Sequence, residues 1–298
     1  MKSKIGRAPS PVGIVGLGIM GSAIAGHLVR AGHRVVGYDV RPPRLRDLRA
    51  AGGVVAKDSN DVATQSPIII TSLPSTDALV DTVDALTRVA HRSQIVVETS
   101  TLPIEVKQRA RTRLRARGIE LLDCPISGTG AQARNKDIVL YASGARTAYG
   151  RVLKVLDAFT RAHYYVGPFG DGSKIKFVAN LLVAVHNVAA AEAMVLAMKA
   201  GLDPAKVLKL VAEGAGSSRV LQLRGPMMVK GNYQKATMTL ATWQKDMAII
   251  AAFARRLGVT TPLFSTTAPI YAEAVKTRSQ EDTAAVCAVL EKMAHYRR

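Results

Sequence analysis

The sequence predicts an α/β fold: a domain with a doubly wound sheet, followed by an all-helical domain, joined by one long interdomain helix. Three observations carry this expectation. Short β-rich runs alternate with helical runs through the first half. A glycine-rich turn separates the first such run from the first helix, and strand patterns stop after Pro168. A length of 298 residues suits two domains at roughly 100–200 residues each. The division expected is 1–168 and 169–298.

The strand candidates are 12–15, 34–38, 67–73, 94–99, 120–124, 137–142 and 163–166, with a weaker run at 53–56. Helical patterns lie between them at 22–31, 43–51, 77–90, 103–117 and 148–159. Repeated β-α-β order implies a parallel sheet covered on both faces. Gly118 is placed to end the helix before it, with basic residues in the last turn. From 173 to 200 runs one stretch of helix formers, with Gly201 as its stop. Asp203-Pro204 then restarts a helix, Asp as cap and Pro at the first position. Further helical runs follow at 240–257, 262–275 and 284–295.

The apolar fraction of 48% is ample for packed cores, and only 5% of residues are aromatic. The cores must therefore be aliphatic, as suits helices on a parallel sheet. Lys and Arg number 41 against 22 Asp and Glu, a formal charge of +19. Such a field attracts small anions. It could also serve nucleic acid, but zinc-finger spacing and an aromatic RNA-binding strand are both absent from the sequence. Arginines in helical patterns, as at 109–117, read first as a solvated basic face. Cys124 and Cys287 are the only cysteines, which points to a reducing cytoplasm. Lys2, Lys4 and Arg7 before an apolar run at 12–28 mimic a signal peptide, yet four glycines interrupt that run. Strand, turn and helix fit it better. No stretch of about 18 or more residues reads as apolar enough to span a membrane.

Gly16-Leu17-Gly18-Ile19-Met20-Gly21 follows the first strand at once, and an Ala-rich helix follows it. Gly16 permits the tight turn, Gly18 lets backbone approach a pyrophosphate, and Gly21 lets helix pack on strand. The helix N-terminus offers free N–H groups to phosphate. Asp39 stands roughly 20 residues on, where a dinucleotide ribose hydroxyl is bound. Together these features predict a Rossmann domain. Asp39 favours NAD, since a carboxylate repels a 2′-phosphate. Arg41 and Arg44 keep NADP possible.

Lys176 and Asn180 are four residues apart and share one helix face. A lysine near a domain junction can give a proton to a carbonyl oxygen as hydride arrives, and an amide one turn on can orient it. The same spacing is common on solvated helices. Ser127-Gly128 follows the strand candidate ending at Cys124 and could bind a carboxylate, or be an ordinary turn. The six histidines show no metal-ligand spacing, and neither cysteine sits as a nucleophile does. Trp243 reads as core.

With these motifs in order, the chain resembles the β-hydroxyacid dehydrogenase family, the group of 3-hydroxyisobutyrate dehydrogenase and tartronate semialdehyde reductase. The 16–21 turn resembles the family's GLGxMG opening. Thr71-Ser72-Leu73-Pro74 is similar to the loop after its fourth strand, and Ser100-Thr101 to its cofactor-contacting pair. Asp123-Cys124-Pro125-Ile126-Ser127-Gly128 resembles its DAPVSGG substrate segment. Gly170-Asp171-Gly172 with Lys176 and Asn180 resembles GxGxxxKxxxN, and Lys245-Asp246 its late KD pair. The resemblance implies hydride transfer between NAD(P) and a small anionic 3-hydroxy acid. It implies Lys176 as acid/base supported by Asn180, and Ser127 and Gly128 on the substrate carboxylate. Leu73 and Pro74 would contact the cofactor, and Thr101 and Lys245 would line the cofactor–substrate cleft. It further implies a homodimer or homotetramer. The chain departs from the family at Thr129, where a second glycine is usual, and at 130–137. The alternatives are reduction of another carbonyl or of an imine on the same scaffold, and a non-catalytic nucleic-acid-binding role. Retention of Lys176 argues against the imine version and the non-catalytic one.

Overall fold

The computed structural model describes residues 11–89 and 91–298. Lys2, Lys4 and Arg7 lie outside them. The chain forms two compact units, divided between Lys176 and Phe177.

The first unit opens with β1 (Val12–Val15), α1 (Ile19–Arg30), β2 (Val35–Tyr38), α2 (Pro42–Ala50), β3 (Val54–Val55) and α3 (Ser59–Gln65). It continues with β4 (Ile68–Thr71), α4 (Thr76–Val89), β5 (Ile95–Glu98), α5 (Ile104–Arg115) and β6 (Glu120–Asp123). Then come β7 (Ile126–Ser127), α6 (Gly130–Arg134), β8 (Val139–Ser143), α7 (Arg146–Phe159) and β9 (Ala162–Gly167). The strands form one sheet in the order β3-β2-β1-β4-β5-β6-β8-β7, with β9 paired to β8.

Alternation along each strand feeds two cores, one per sheet face. Val12, Ile14, Ile70, Ile95, Val97 and Leu122 pack with Leu28 of α1 and Val152, Leu156 and Phe159 of α7. Val15, Ile69, Val96 and Leu121 pack on the other face with Val62 of α3, Leu79 and Val83 of α4 and Leu114 of α5. The sheet is thus doubly wound, as expected.

It is not parallel throughout, and the expectation of a parallel sheet is corrected here. Strands β3 to β6 run parallel. Strand β8 runs antiparallel to β6 and β7, and β9 parallel to β8. The cause is connection length. Only β7 and the five-residue α6 separate β6 from β8, too little for a crossover that would restore parallel direction.

Helix α8 (Asp171–Lys199) crosses the division between the units. Gly201, at φ +77°, ends it as expected. The expectation that no stretch is apolar enough to span a membrane is corrected by this helix. Among the described residues it alone passes on length and composition, with a window of mean hydropathy 1.8. Its Ala, Val, Leu and Met side chains raise the mean, and half of that window is buried within the protein.

The second unit holds α9 (Pro204–Glu213), α10 (Arg219–Lys230), α11 (Leu240–Arg256), α12 (Pro262–Arg278) and α13 (Val286–Met293). Asp203 caps α9 by accepting the Ala205 N–H at 2.9 Å, with Pro204 at the first position. Tyr271 is buried at the centre: its hydroxyl donates to Ala184 O at 3.2 Å and accepts from Asn187 Nδ2 at 2.9 Å. Trp243, expected as core, lies against it with ring centroids 6.1 Å apart.

Candidate active site

The carboxyl ends of the parallel strands stand in one row, because the register pairs Val15 with Tyr38 and Thr71, Thr71 with Glu98, and Glu98 with Asp123. The residues just beyond them are Gly16, Asp39, Ser72, Thr99 and Cys124. Sheet geometry therefore gathers the glycine turn, Asp39 and the loops carrying Leu73, Pro74 and Thr101 at the strand ends where open α/β sheets bind ligands.

The glycine turn is held by backbone contacts that forbid side chains at two positions. Gly16 has φ +91°, and a Cβ there would lie 2.3 Å from Ser72 O. A Cβ on Gly21 would lie 1.9 Å from Gly16 O. Gly18 differs. Only Arg41 Nη2, at 3.8 Å, comes near the point where its Cβ would stand. Packing does not demand glycine at 18, so the open face of the turn has room for a phosphate. Gly18 caps α1 without a side-chain bond, so the first N–H groups of the helix remain available to an anion. These features fit a dinucleotide.

Asp39 is buried and does two jobs. Its Oδ2 accepts the Leu17 N–H at 2.7 Å, which fixes the turn, and its Oδ1 accepts the Arg41 N–H at 2.9 Å. Arg41 Nε lies 3.5 Å from the same oxygen. Ile19 packs on the segment that follows Ser127: a Cβ on Gly130 would lie 2.2 Å from Ile19 Cγ2. Met20 is half-buried against the core.

The Leu73-Pro74 loop is tied to the next loop, since the Leu73 N–H donates to Ser100 Oγ at 2.8 Å. Thr101 follows directly. Ser127 ends β7, and Gly128 has φ +142° with Ile138 Cγ2 2.7 Å from any added Cβ. Only glycine suits that position. Thr129, the departure from the family pattern, is the N-cap of α6, in a reciprocal capping box with Gln132. His27 Nε2 reaches Ala133 O at 2.8 Å and ties α6 to α1.

Lys176 and Asn180 lie on successive turns of α8 and both are buried. In the second unit, Asn180 Nδ2 donates to Asp246 Oδ2 at 3.2 Å, and Lys245 Nζ lies 3.3 Å from Asp246 Oδ1. The fold so joins Asn180 to the Lys245-Asp246 pair, distant in sequence.

Sequence reasoning missed an ion cluster behind the strand ends. Lys107, Glu98 and Asp123 are fully buried; Lys107 Nζ lies 2.6 Å from Glu98 Oε2 and 2.8 Å from Asp123 Oδ1. It also donates to Ser100 O at 2.6 Å. Burial works against the ammonium, but the Asp123 and Glu98 carboxylates prevail and raise its pKa above the usual lysine value. The available signal was an acidic residue closing an apolar run twice, as Ile-Val-Val-Glu98 and Leu-Leu-Asp123, with one lysine on the helix between. Cys124 is no nucleophile: burial pushes its thiol pKa well up.

Two family models match almost the whole chain. Residues 11–167 match the NAD binding domain of 6-phosphogluconate dehydrogenase. Residues 170–290 match the NAD-binding domain of NADP-dependent 3-hydroxyisobutyrate dehydrogenase. The L-threonate dehydrogenase of Cupriavidus necator is 30% identical over 85% of this chain and 86% of its own. The 2-hydroxy-3-oxopropionate reductase of Escherichia coli is 30% identical over 96% and 99%. A crystal structure of 3-hydroxyisobutyrate dehydrogenase from Salmonella typhimurium superposes with TM-score 0.86 at 30% identity, covering 94% of this chain and 99% of that one. With the glycine turn, the row of strand ends and these matches together, the chain belongs to the β-hydroxyacid dehydrogenase family and is an NAD(P)-dependent enzyme of hydroxy acids.

Proposed function

We propose that this enzyme interconverts a small 3-hydroxy carboxylate and its 3-oxo acid or semialdehyde, with Lys176 as general acid/base. The observation that carries the reading is the buried Lys176, one helical turn before an Asn180 that is itself held by Asp246 at 3.2 Å. A buried lysine is seldom merely solvated surface. The bound cofactor supplies the hydride acceptor or donor. Lys176 gives a proton to the substrate oxygen in reduction and takes it back in oxidation. Asn180 orients it, Ser127 and Gly128 bind the carboxylate, and Thr101 and Lys245 contact substrate and cofactor.

Gly16, Leu17, Gly18, Ile19, Met20 and Gly21 would bind the pyrophosphate, with Leu73 and Pro74 beside it. Asp39 would take the ribose hydroxyls, which supports NAD over NADP. We further assign residues 1–168 to cofactor binding and 169–298 to the helical domain. A cytoplasmic homodimer or homotetramer, binding neither membrane nor nucleic acid, fits this reading.

The test is absorbance at 340 nm with NAD and NADP separately, on L-threonate, 3-hydroxyisobutyrate and, in reverse, 2-hydroxy-3-oxopropionate. Turnover on one of them is expected, with NAD preferred. Lys176→Ala should lower kcat by about 10²–10⁴-fold while cofactor affinity holds. A Lys176→Ala variant with wild-type turnover would remove the lysine from the chemistry.

A further inference from the structure

The first turn of any α-helix has N–H groups that the helix itself cannot satisfy. At the start of α8 several of those donors are met from the sheet. Gly170 and Gly172 N–H donate to Ser143 Oγ at 3.3 and 3.0 Å. Ser173 N–H donates to Asp123 Oδ2 at 2.8 Å, and Ser173 Oγ donates to Asp123 Oδ1 at 2.8 Å. Ser143 Oγ lies in turn 3.1 Å from Asp123 O. Gly172 is pressed against the strands: a Cβ there would lie 2.5 Å from Tyr141 O and 2.8 Å from Asp123 O. The helix thus begins end-on against β6 and β8, with a carboxylate under its positive end.

Asp123 does not stand alone. Lys107 sits between it and Glu98, and Glu98 Oε1 accepts the Ser100 N–H at 2.9 Å. Ser100 then holds both Lys107 and the Leu73 loop. One ammonium and one helix N-terminus face two carboxylates and offset most of their buried charge, with the Ser100 N–H and the Ser143 and Ser173 hydroxyls donating to their oxygens. Ser173 precedes Lys176 by three residues, so a shift of the Ser173 anchor moves the Lys176 turn with it.

We propose that Asp123 is a positioning residue for catalysis, with Lys107 holding it in place. It fixes the start of α8 through Ser173 and thereby sets where Lys176 stands relative to the loops after β4 and β5. This rests on Lys176 being the acid/base. Asp123 touches no reacting atom in this role.

The experiment compares Ser173→Ala, Asp123→Asn and Lys176→Ala in the full-length enzyme. Active sites are titrated by NADH fluorescence, and kcat is measured with hydroxy acid carrying hydrogen or deuterium at the oxidised carbon. Displacing Lys176 by roughly an ångström should lower kcat per titrated site by about 10–10²-fold. NADH affinity should change by less than about threefold, because the glycine turn is untouched. The deuterium isotope effect on kcat should rise, since the chemical step becomes limiting. A purely structural role would reduce the number of titrated sites and leave kcat per site and the isotope effect unchanged. Should Asp123→Asn fail to fold, Ser173→Ala, which loses a single hydroxyl, decides alone. Inactive Lys176→Ala beside wild-type kcat per site in Ser173→Ala, and in any folded Asp123→Asn, would overturn the positioning role and leave the lysine chemistry standing. Active Lys176→Ala would overturn both.

Discussion

Gly18 and Gly21 carry the same residue type for opposite reasons. At Gly21 a methyl group would enter the Gly16 carbonyl at 1.9 Å, so helix and turn could not both keep their places. At Gly18 the nearest protein atom to an added Cβ is the flexible tip of Arg41 at 3.8 Å. Gly21→Ala should therefore lower stability by about 1–3 kcal/mol, as overpacking does, seen as a fall in the urea midpoint. Gly18→Ala should lower that midpoint only by the loss of a favourable N-cap, about 0.5–1 kcal/mol, and weaken NADH binding at least severalfold in a fluorescence titration. Full NADH affinity in Gly18→Ala would mean that no phosphate approaches that backbone. Both glycines were legible in the sequence, since the turn has a fixed spacing between strand and helix. The structural job of Asp39 was not: its bond to the Leu17 N–H exists only once β2 lies beside β1.

Elements were legible where a local pattern repeats. The runs at 12–15, 94–99 and 120–124 became β1, β5 and β6, because alternate side chains feed two cores. The run at 137–142 likewise became β8, but strand direction left no such trace, so its antiparallel course was hidden, as were the two-residue β7 and five-residue α6. Helix α10 was also hidden, with Gly225 and Pro226, both poor helix formers, inside it. Gly225 is explained by packing: a Cβ there would meet Leu208 Cδ1 at 2.4 Å. What fixes α10 further is Asp282. Its Oδ1 lies 3.3 Å from Arg224 Nε and accepts the Ala284 N–H at 3.0 Å. Its Oδ2 accepts Thr237 N–H, Thr237 Oγ and Met238 N–H at 2.7, 2.8 and 3.3 Å. Burial would raise the Asp282 pKa, but Arg224 and these donors bring it below the ordinary 3.8. A depressed carboxylate pKa contributes stability that is present above the unfolded value and lost as pH falls through the folded one. Asp282→Asn turns an amide donor toward one set of donors and strands Arg224. It should cost about 3–5 kcal/mol at pH 7, with the gap to wild type narrowing below about pH 4. Urea unfolding at several pH values checks this, and equal stabilities at pH 7 would dismiss Asp282 as the tie.

At the scale of the whole molecule, charge is the property no single element explains. The +19 excess outlasts local pairing: Arg113 pairs with Asp84 and Arg115 with Glu120 on α5, yet 41 basic side chains face only 22 acidic ones. Exposed pairs of this kind contribute little, and the unpaired excess repels itself. The same field draws in anions, and both the dinucleotide and a hydroxy carboxylate are anionic. Salt screens the two effects alike, with a Debye length of roughly 30 Å at 0.01 M and 10 Å at 0.1 M. The consequences have opposite sign. Raising salt from about 0.01 to 0.2 M should raise Tm by a few degrees, because self-repulsion fades. Over the same range kcat/KM for the carboxylate substrate should fall severalfold through KM, with kcat steady, because steering acts on encounter and not on the bound complex. Loss of folded enzyme cannot mimic that pair of trends, since it would move Tm and turnover in the same direction. A kcat/KM that stays flat while Tm climbs would mean that the basic surface acts on stability alone and takes no part in drawing the substrate in.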